Sequence, residues 1–360
     1  MRKGGIYETR IEHLRQALEK KRLDAALLFS PESTNDLSSK STYYLTGFFD
    51  SWPHAVLVTQ KDAILFTGEP ERAKKESAIK DIREAKKDKI DEILKKNRLK
   101  KIGVDYNFSF SRWNGMKKKL GNLLFTDISG ELIELRAVKD SQELANIRHA
   151  SEITAKALKV AEKTANSGDE DALANEIKLE FVNDDAETAF KPVVSGDKNS
   201  ANIHYFACNQ NYKKLVMVDI GAKWNFYNSD FTRTIILENE RQMAKAYNSL
   251  KQLMGELSDF AKPGVKCIDA FNYAKKFLEK EGYKKESFAN FHSLGHGVGL
   301  DVHEYPVLTS NPLFKDMKFE ENMVFTLEPA LYFAGKFGIR LEDTVVMGKN
   351  GVNRLQSTSL

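Results

Sequence analysis

The chain has 360 residues, a formal net charge of +4 and two cysteines. This length exceeds one ordinary hydrophobic core, so two domains are expected, and the composition excludes an intrinsically disordered chain. Two cysteines cannot form a disulfide framework and fit a reducing compartment.

The sequence offers no targeting or membrane-spanning segment. The N-terminal residues are charged and lack the apolar stretch of a signal peptide. No run of about 18 apolar residues occurs, as a membrane-spanning helix would require. We therefore expect a cytoplasmic protein without a membrane partner.

Residues 10–130 alternate between helical and strand signals. Residues 10–23, "RIEHLRQALEKKRL", carry apolar side chains at helical spacing, and "DAALLFS" after them is typical of a buried strand. The runs "HAVLVTQ", "DAILFTGE" and "KIGVDY" repeat the strand pattern. This alternation predicts an α/β domain in which most strands are covered on both faces.

Residues 71–120 are basic, with seventeen Lys or Arg against eight Asp or Glu. Such a stretch can indicate nucleic-acid binding. The charges of residues 71–96 alternate in sign, however, which predicts an exposed helix with i,i+4 ion pairs. No interleaved aromatic residues or fingerprint accompany them, so no nucleic-acid partner is expected.

The pattern changes near residue 130. A Gly-containing connection leads into a long helix that Asp140 or Ser141 can cap, with Glu143 in its first turn. Beyond it, helices are followed by antiparallel strand pairs, which is typical of an α+β domain. We place the domains at 1–130 and 131–360.

Asp219 and Asp230 lie in a hairpin-like segment, residues 215–237. A turn centred on Trp224 and Asn225 would set the two aspartates directly opposite each other, with Cβ atoms about 4.5–5.5 Å apart. Two facing carboxylates repel each other, and a divalent cation removes the conflict. For an isolated pair, a solvent-facing or turn-capping aspartate would be the better interpretation.

Glu328 and Glu342 fall in two apolar, strand-like segments joined by a short loop that contains Gly335 and Gly338. An uncompensated carboxylate in such surroundings is unfavourable. Arg340 lies two positions before Glu342, on the same face of a strand, so a buried ion pair is the alternative for that glutamate.

The segment "HSLGHGVGLDVHE", residues 292–304, adds a nitrogen ligand. His296 lies between glycines that would let the strand approach bound ions. Four carboxylates and one imidazole make an oxygen-rich site with room for two divalent ions; Mn²⁺ suits it best, and Co²⁺ or Zn²⁺ is tolerated. Sites of this kind generate a bridging hydroxide at neutral pH.

Five segments together resemble the pita-bread metallopeptidase family M24, which includes aminopeptidase P, prolidase and methionine aminopeptidase. They are "VVSGDKNSANIHY", "VDIGAKWNFYNSDFTRT", "HSLGHGVGLDVHE", "LEPALYF" and "GIRLEDTVV". The first domain resembles the family's N-terminal domain through "RIEHLRQALEKKRLDAALLF" and "YYLTGF". The resemblance implies an α+β pita-bread (creatinase/aminopeptidase-like) catalytic domain after a smaller α/β domain, in the aminopeptidase P and prolidase branch.

The resemblance also implies roles for the metal ligands. Asp219 would chelate one ion, and Asp230 and Glu342 would bridge both. His296 and Glu328 would complete the other ion. Glu328 would also take the proton from the bridging water as it attacks.

Further roles follow from the same resemblance. His204 and His303 would contact the scissile carbonyl and its tetrahedral intermediate, and His292 would lie near the substrate. A satisfied structural histidine is the alternative for His292 and His303. Arg340 would orient the carboxylates.

An Xaa-Pro bond is a tertiary amide without an N–H, and the resemblance points to it as the substrate. The expected activity is that of an Xaa-Pro aminopeptidase acting on short peptides with proline second; the alternative is an Xaa-Pro dipeptidase (prolidase). Many prolidases carry arginine where "HEYPVL" has Val307, which argues against strict dipeptidase activity. Another hydrolase, or a non-catalytic scaffold on the same fold, is a more distant alternative.

The resemblance finally implies a homodimer in which the first domain of one subunit helps to wall the partner's site. Trp52, after "YLTG", is a candidate for that wall, and Tyr205 is a second candidate for the substrate pocket. An exposed loop tryptophan without such a role is the alternative for Trp52.

Overall fold

The computed structural model describes residues 3–30, 40–50, 52–106, 108–203, 205, 207–238 and 240–355. The chain divides into two compact units, Met1–Arg136 and Ala137–Leu360. The helices of the described residues are α1 Lys3–Lys20, α2 Lys40–Thr46, α3 Pro70–Glu76, α4 Ile90–Lys96, α5 Phe110–Leu120, α6 Ser129–Ala137, α7 Ser141–Thr164, α8 Glu170–Asn183, α9 Arg241–Phe260 and α10 Cys267–Lys280. The residues predicted as a connection near residue 130 thus form helix α6.

The first unit is built on a six-stranded mixed sheet. Its strands are β1 Ala25–Phe29, β2 Ala55–Thr59, β3 Ala63–Thr67, β4 Asp81–Glu84, β5 Lys101–Val104 and β6 Leu124–Asp127. Their order is β4-β3-β2-β1-β5-β6. Pairs β1–β2 and β2–β3 are antiparallel and the other pairs are parallel. The predicted α/β organisation is confirmed.

The prediction of one charged helix over residues 71–96 is wrong. The segment folds as α3, then β4, then α4. Ile82 of β4 pairs with Leu65 of β3 in parallel, so sheet formation overrides the helical propensity of the neighbouring charged residues. One expected i,i+4 ion pair does form, between Arg72 and Glu76 at 2.8 Å.

The second unit contains thirteen strands among its described residues. They are β7 Glu187–Thr188, β8 Val193–Gly196, β9 Leu215–Ile220, β10 Ala222–Trp224, β11 Tyr227–Asn228, β12 Phe231–Ile236, β13 Gly295–Gly297, β14 Glu304–Leu308, β15 Val324–Leu327, β16 Ala330–Phe333, β17 Phe337–Arg340, β18 Asp343–Gly348 and β19 Gly351–Arg354. They form sheets β11-β10-β7, β12-β9-β8, β14-β13-β15-β18-β19 and β16-β17. All of these pairs are antiparallel, as predicted.

Helix α7 begins at the predicted cap and supports the hairpin that carries the aspartates. The Asp140 side chain accepts hydrogen bonds from the backbone N–H of Gln142 and Glu143, and the Glu143 side chain bonds back to Asp140 N–H in a capping box. Further along α7, Thr154 Oγ1 accepts a bond of 2.8 Å from Ala222 N–H in β10. Helices α9 and α10 pack their apolar faces, including Leu250 and Phe271, into the core cluster that also contains Phe325 of β15 and Leu331 of β16.

The sequence predicted neither a membrane-spanning helix nor a disulfide framework. Within the described ranges, no helix combines the length and the apolar character that crossing a membrane requires. Cys208 and Cys267 are both free thiols, the first exposed and the second buried.

Candidate metal centre

The two aspartates lie on one hairpin, with a register that differs from the predicted one. Strands β9 and β12 pair with Asp219 opposite Thr232. Strands β10 and β11 continue the hairpin, with Trp224 opposite Tyr227. The turn is therefore centred one residue later than predicted.

The turn residues are Asn225 and Phe226, whose φ angles of 50° and 70° are the positive values that a two-residue type I′ turn requires. Because the centre shifts, Asp230 lies diagonal to Asp219, so the prediction that the two face each other directly is wrong. Asp230 is two residues from Thr232, which faces Asp219, and residues two apart share a strand face. The two aspartates thus remain on one face, at the diagonal spacing of neighbouring strands.

The two glutamates lie on a second hairpin, at the point where each strand-like segment is interrupted. Leu327 of β15 is opposite Asp343 of β18. Ala330 of β16 is opposite Arg340 of β17. The two registers are continuous, so Glu328 and Glu342 lie across from each other at the junction. The sequence predicted a directly opposed pair for the two aspartates, but the structure has this arrangement in the two glutamates. Gly338, which was predicted in the connecting loop, lies within strand β17.

His296 lies on the short strand β13 between two other backbones. A Cβ added at Gly295 would lie 2.0 Å from Thr326 O, and one at Gly297 would lie 2.0 Å from Tyr305 O. These glycines therefore permit close strand packing within the protein, which differs from the predicted reason of approach to bound ions. The His296 N–H donates to Thr326 Oγ1 at 3.1 Å, which fixes the residue in the sheet.

The two hairpins and β13 converge on a cavity of about 350 Å³. All five residues predicted as metal ligands line it: Asp219, Asp230, His296, Glu328 and Glu342. His296 Nε2 is 3.6 Å from Asp230 Oδ2 and 3.6 Å from Glu328 Oε1. Asp230, His296 and Glu342 each offer a ligand atom within 4.8 Å of the other two, close enough for one ion to bind all three.

The buried guanidinium of Arg340 organises the carboxylates, but not through the expected pair with Glu342. Its Nη2 is hydrogen-bonded to Asp219 Oδ2. Its Nε donates to Thr232 Oγ1 at 3.0 Å, and Thr232 Oγ1 in turn donates to Glu342 Oε2 at 2.5 Å. Arg340 thus reaches Glu342 through Thr232, and its Nη1 donates to the Tyr332 hydroxyl at 2.9 Å.

Comparison with known proteins identifies the family. Residues 145–349 match metallopeptidase family M24, and residues 10–138 match the creatinase/prolidase N-terminal domain. The chain belongs to metallopeptidase family M24. The predicted membership and fold class are thereby confirmed.

Several relatives of this M24 chain are similar over nearly their whole length. The Xaa-Pro dipeptidase of Pyrococcus furiosus is 31% identical over 351 residues, which cover 94% of this chain and 98% of that protein. The solved prolidase from Pyrococcus horikoshii OT3 has a TM-score of 0.87 at 28% identity and covers 98% of this chain and 99% of its own. The solved X-Pro aminopeptidase from Thermotoga maritima MSB8 has a TM-score of 0.85 at 27% identity, with coverages of 97% and 98%.

The electrostatics of the cavity suit the divalent ions of an M24 enzyme. Burial raises the pKa of Asp230 and of Glu328, and the Glu342 carboxylate raises both further. Burial, reinforced by Asp219, raises the pKa of Glu342 to about 8. Burial lowers the pKa of His296 to about 3, which keeps the imidazole neutral and able to bind a metal.

Two carboxylate oxygens strengthen this fit. Asp219 Oδ1 and Asp230 Oδ1 are buried, with no hydrogen-bond partner among the residues that the structure describes. Buried acceptors without a donor are unfavourable, and a divalent cation supplies what these oxygens lack.

Two of the three predicted substrate histidines line the same cavity. His292 Nδ1 lies 2.6 Å from the Ser293 carbonyl oxygen, which can only accept, so Nδ1 carries the proton. His292 Nε2 is 3.0 Å from the Tyr332 hydroxyl, and its Nδ1 is 3.8 Å from Glu328 Oε2. The His303 ring centroid is 4.0 Å from that of His296.

The remaining predicted site residues are His204, Tyr205 and Trp52. His204 lies outside the described residues. The Tyr205 hydroxyl donates to Glu170 Oε2 at 2.8 Å and accepts from the Asn199 side chain at 3.0 Å. Tyr205 is absent from the described lining of the cavity, so a role in the substrate wall gains no support. Trp52 lies in the first unit and is 65% exposed.

Several residues that shape the site were not predicted from the sequence. Thr232 and Tyr332 complete the contacts of Arg340, and Phe190 and Lys191 line the cavity. Thr232 could have been predicted from the sequence, because it lies two residues after Asp230 and therefore on the same strand face. For Tyr332, Phe190 and Lys191 the sequence gives no comparable signal, since their positions depend on how distant strands pack.

Metal binding should release protons from this site. Divalent ions need deprotonated carboxylates, and Glu342, with a pKa of about 8, holds its proton in the metal-free protein below that pH. We therefore expect Mn²⁺ affinity to rise between pH 6 and 8, by about tenfold per pH unit for each proton released. Titration calorimetry of metal-stripped protein in buffers of different ionisation enthalpy counts the protons.

Replacing Glu342 by Gln removes its titrating group, so the variant should release fewer protons and show a flatter pH dependence. A wild-type affinity that does not change with pH, without proton release, would contradict the prediction.

Proposed function

We propose that this M24 chain is an Xaa-Pro dipeptidase, an exopeptidase with two divalent ions that hydrolyses the bond before a C-terminal proline. The main support for metal-dependent hydrolysis is that four carboxylates and His296 line one cavity. Two of the three relatives named above are a dipeptidase and a prolidase, and the third is an X-Pro aminopeptidase. These relatives favour the dipeptidase alternative over the aminopeptidase that the sequence analysis preferred.

The proposed metal ligands are Asp219, Asp230, His296, Glu328 and Glu342. Their oxygen-rich donor set is compatible with Mn²⁺, and also with Co²⁺ or Zn²⁺. When bound, the ions supply Lewis-acid polarisation of the scissile carbonyl and lower the pKa of the attacking water. Arg340 and Thr232 would hold Asp219 and Glu342 in place for them.

Glu328 is the proposed proton carrier. Its carboxylate, when deprotonated, would take a proton from the attacking water and release it to the departing proline nitrogen. That nitrogen leaves as a secondary amine, so it must gain a proton. His303 lines the cavity and is the proposed donor to the scissile carbonyl oxygen, and His292, which also lines the cavity, is proposed to lie near the substrate. A similar role for His204 stays a prediction from the resemblance.

Apolar side chains supply a surface for the proline ring. Phe190, Ile203 and Val302 line the cavity next to the carboxylates. A tertiary amide offers no N–H to grip, so an enzyme for Xaa-Pro bonds gains its selectivity from contact with the ring. This arrangement supports proline on the leaving side of the scissile bond.

The substrate proposal is tested with Ala-Pro, Ala-Pro-Ala and Ala-Ala-Ala in the presence of Mn²⁺. We expect kcat/KM for Ala-Pro to exceed that for Ala-Pro-Ala by about tenfold or more, because one well-formed charged contact is worth that much. Ala-Ala-Ala should not be cleaved. A preference for Ala-Pro-Ala would favour the aminopeptidase instead, and full activity in metal-depleted protein would refute the metal-dependent mechanism.

The ligand set is tested by Asp230→Asn and Glu342→Gln. Each change removes a carboxylate shared by the cluster, so we expect fewer than two bound ions per chain by elemental analysis. The loss of Ala-Pro hydrolysis should exceed about a hundredfold, since even residues behind the ligands are worth about 10–100-fold. Asp316→Asn, at an exposed residue paired with Lys266, is the matched control. Unchanged metal content in both ligand variants would remove these residues from the set.

Assembly and location are proposed on the resemblance and the sequence alone. We keep the homodimer, with Trp52 of one subunit near the partner's site, and the cytoplasmic location as predictions. Light scattering should give twice the chain mass, and Trp52→Ala should raise KM for Ala-Pro with little change in thermal stability, because the residue is 65% exposed. A fully active monomer would exclude the shared wall.

A further inference from the structure

The segment between strands β13 and β14, residues 298–303, carries His303 at its end and is called the His303 loop below. His303 lines the cavity, and its ring centroid lies 4.0 Å from that of His296. The residue is exposed, so its position depends first on the backbone that carries it. Sites carried on loops hold their geometry less well than sites on strands, unless other groups fix the loop.

The buried side chain of Asn228 anchors the start of the His303 loop. Asn228 is the last residue of β11 and is 3% exposed. Its Nδ2 donates to Gly299 O at 2.9 Å and to Leu300 O at 3.0 Å, and its backbone N–H also donates to Gly299 O at 2.9 Å. Carbonyl oxygens only accept, so the NH₂ group of Asn228 must face them. The loop is thereby tied to the hairpin that carries Asp230.

A buried ion pair anchors the other end of the His303 loop. Glu304, the residue after His303, has its Oε1 2.7 Å from Lys139 Nζ, and the two side chains are 2% and 0% exposed. Lys139 Nζ also donates to Ala137 O at 3.1 Å. A Cβ added at Gly299 would lie 2.1 Å from Glu304 Oε1, so the carboxylate packs directly against the start of the loop. Buried polar groups therefore fix the backbone on both sides of His303.

We propose that Asn228 and Glu304 are positioning residues that hold His303 where it can donate to the scissile carbonyl oxygen. This inference rests on the donor role of His303 within the proposed function. Neither residue belongs to the described lining of the cavity, so both act through the loop. A donor stabilises the transition state only if it is held in place beforehand, and a displacement of about 1 Å can cost about a hundredfold in rate.

The first test is Asn228→Ala in the Mn²⁺-loaded enzyme with Ala-Pro as substrate. We expect kcat to fall by about tenfold, less than the full cost of a displaced donor because Glu304 still holds the other end of the loop. KM should change by less than about twofold, since the lost interaction forms only in the transition state. Metal content by elemental analysis should equal that of wild type.

A double-mutant cycle with His303→Ala separates positioning from a general structural effect. His303→Ala alone should lower kcat by about a hundredfold, as loss of a donor to the developing oxyanion does. If Asn228 acts through His303, then adding Asn228→Ala to His303→Ala should change kcat by less than about twofold, because residues that act as one unit are not additive. A merely destabilising change would lower kcat by the same factor in both backgrounds.

Glu304→Gln tests the second anchor, and it keeps the proposal testable if Asn228→Ala does not fold. The change keeps the size of the side chain but removes the charge that attracts Lys139. We expect a loss of kcat that likewise disappears in the His303→Ala background. The matched control is Asn146→Ala. Asn146 is 7% exposed and accepts a bond of 3.2 Å from Asn225 at the turn of the same hairpin, and its loss should leave kcat unchanged.

The outcomes distinguish this inference from the function on which it rests. Wild-type kcat in both Asn228→Ala and Glu304→Gln, or losses that are equally large with and without His303, would overturn the positioning role and leave the proposed hydrolysis intact. An unchanged kcat in His303→Ala would overturn the donor role and this inference together. A metal-loaded wild type that does not cleave Ala-Pro would overturn the proposed function itself.

Discussion

The mutual repulsion of four carboxylates in one buried cavity is the constraint on which this structure depends. Burial and neighbouring negative charge raise the pKa of Asp230, Glu328 and Glu342, so the protein alone does not offset the charge that these groups carry when ionised. Arg340 offsets part of it through Asp219. Such a cluster is unfavourable without cations, and that cost is the driving force for binding divalent ions.

The two hairpins are joined to each other around this cluster, which keeps the carboxylates at fixed positions. The Glu342 N–H donates to Thr232 O at 3.0 Å, and Thr344 Oγ1 donates to Asp230 O at 2.6 Å. One backbone–backbone bond and one side chain–backbone bond therefore join the hairpins, and each involves a residue that lines the cavity, Glu342 or Asp230. A site supported on strands in this way holds its geometry better than one carried on loops. Glu328 and Glu342 are directly opposite each other, and Asp219 and Asp230 are diagonal to each other. All four carboxylates therefore face the same cavity.

The proposed preference for dipeptides would require more than the carboxylate cluster. A choice between dipeptides and longer peptides would need a positive charge that binds the free carboxylate of the dipeptide. The sequence pointed away from a dipeptidase because of Val307, where an arginine was expected. The relatives nevertheless include a dipeptidase and a prolidase.

The sequence by itself determined the two fold classes, a helix cap at Asp140 or Ser141, and the five residues that meet in the cavity. These follow from local physics, because carboxylates inside apolar strand segments demand compensation wherever they occur. Tertiary structure decided the turn at Asn225, the glutamate junction, the path from Arg340 through Thr232 and the strand β4 within a charged segment. It also decided that Tyr205 bonds to Glu170 and that Lys191 lines the cavity. Each of these features depends on which distant strand packs beside the residue in question. Strand register is set by pairing between segments, and the periodicity within one segment does not encode it.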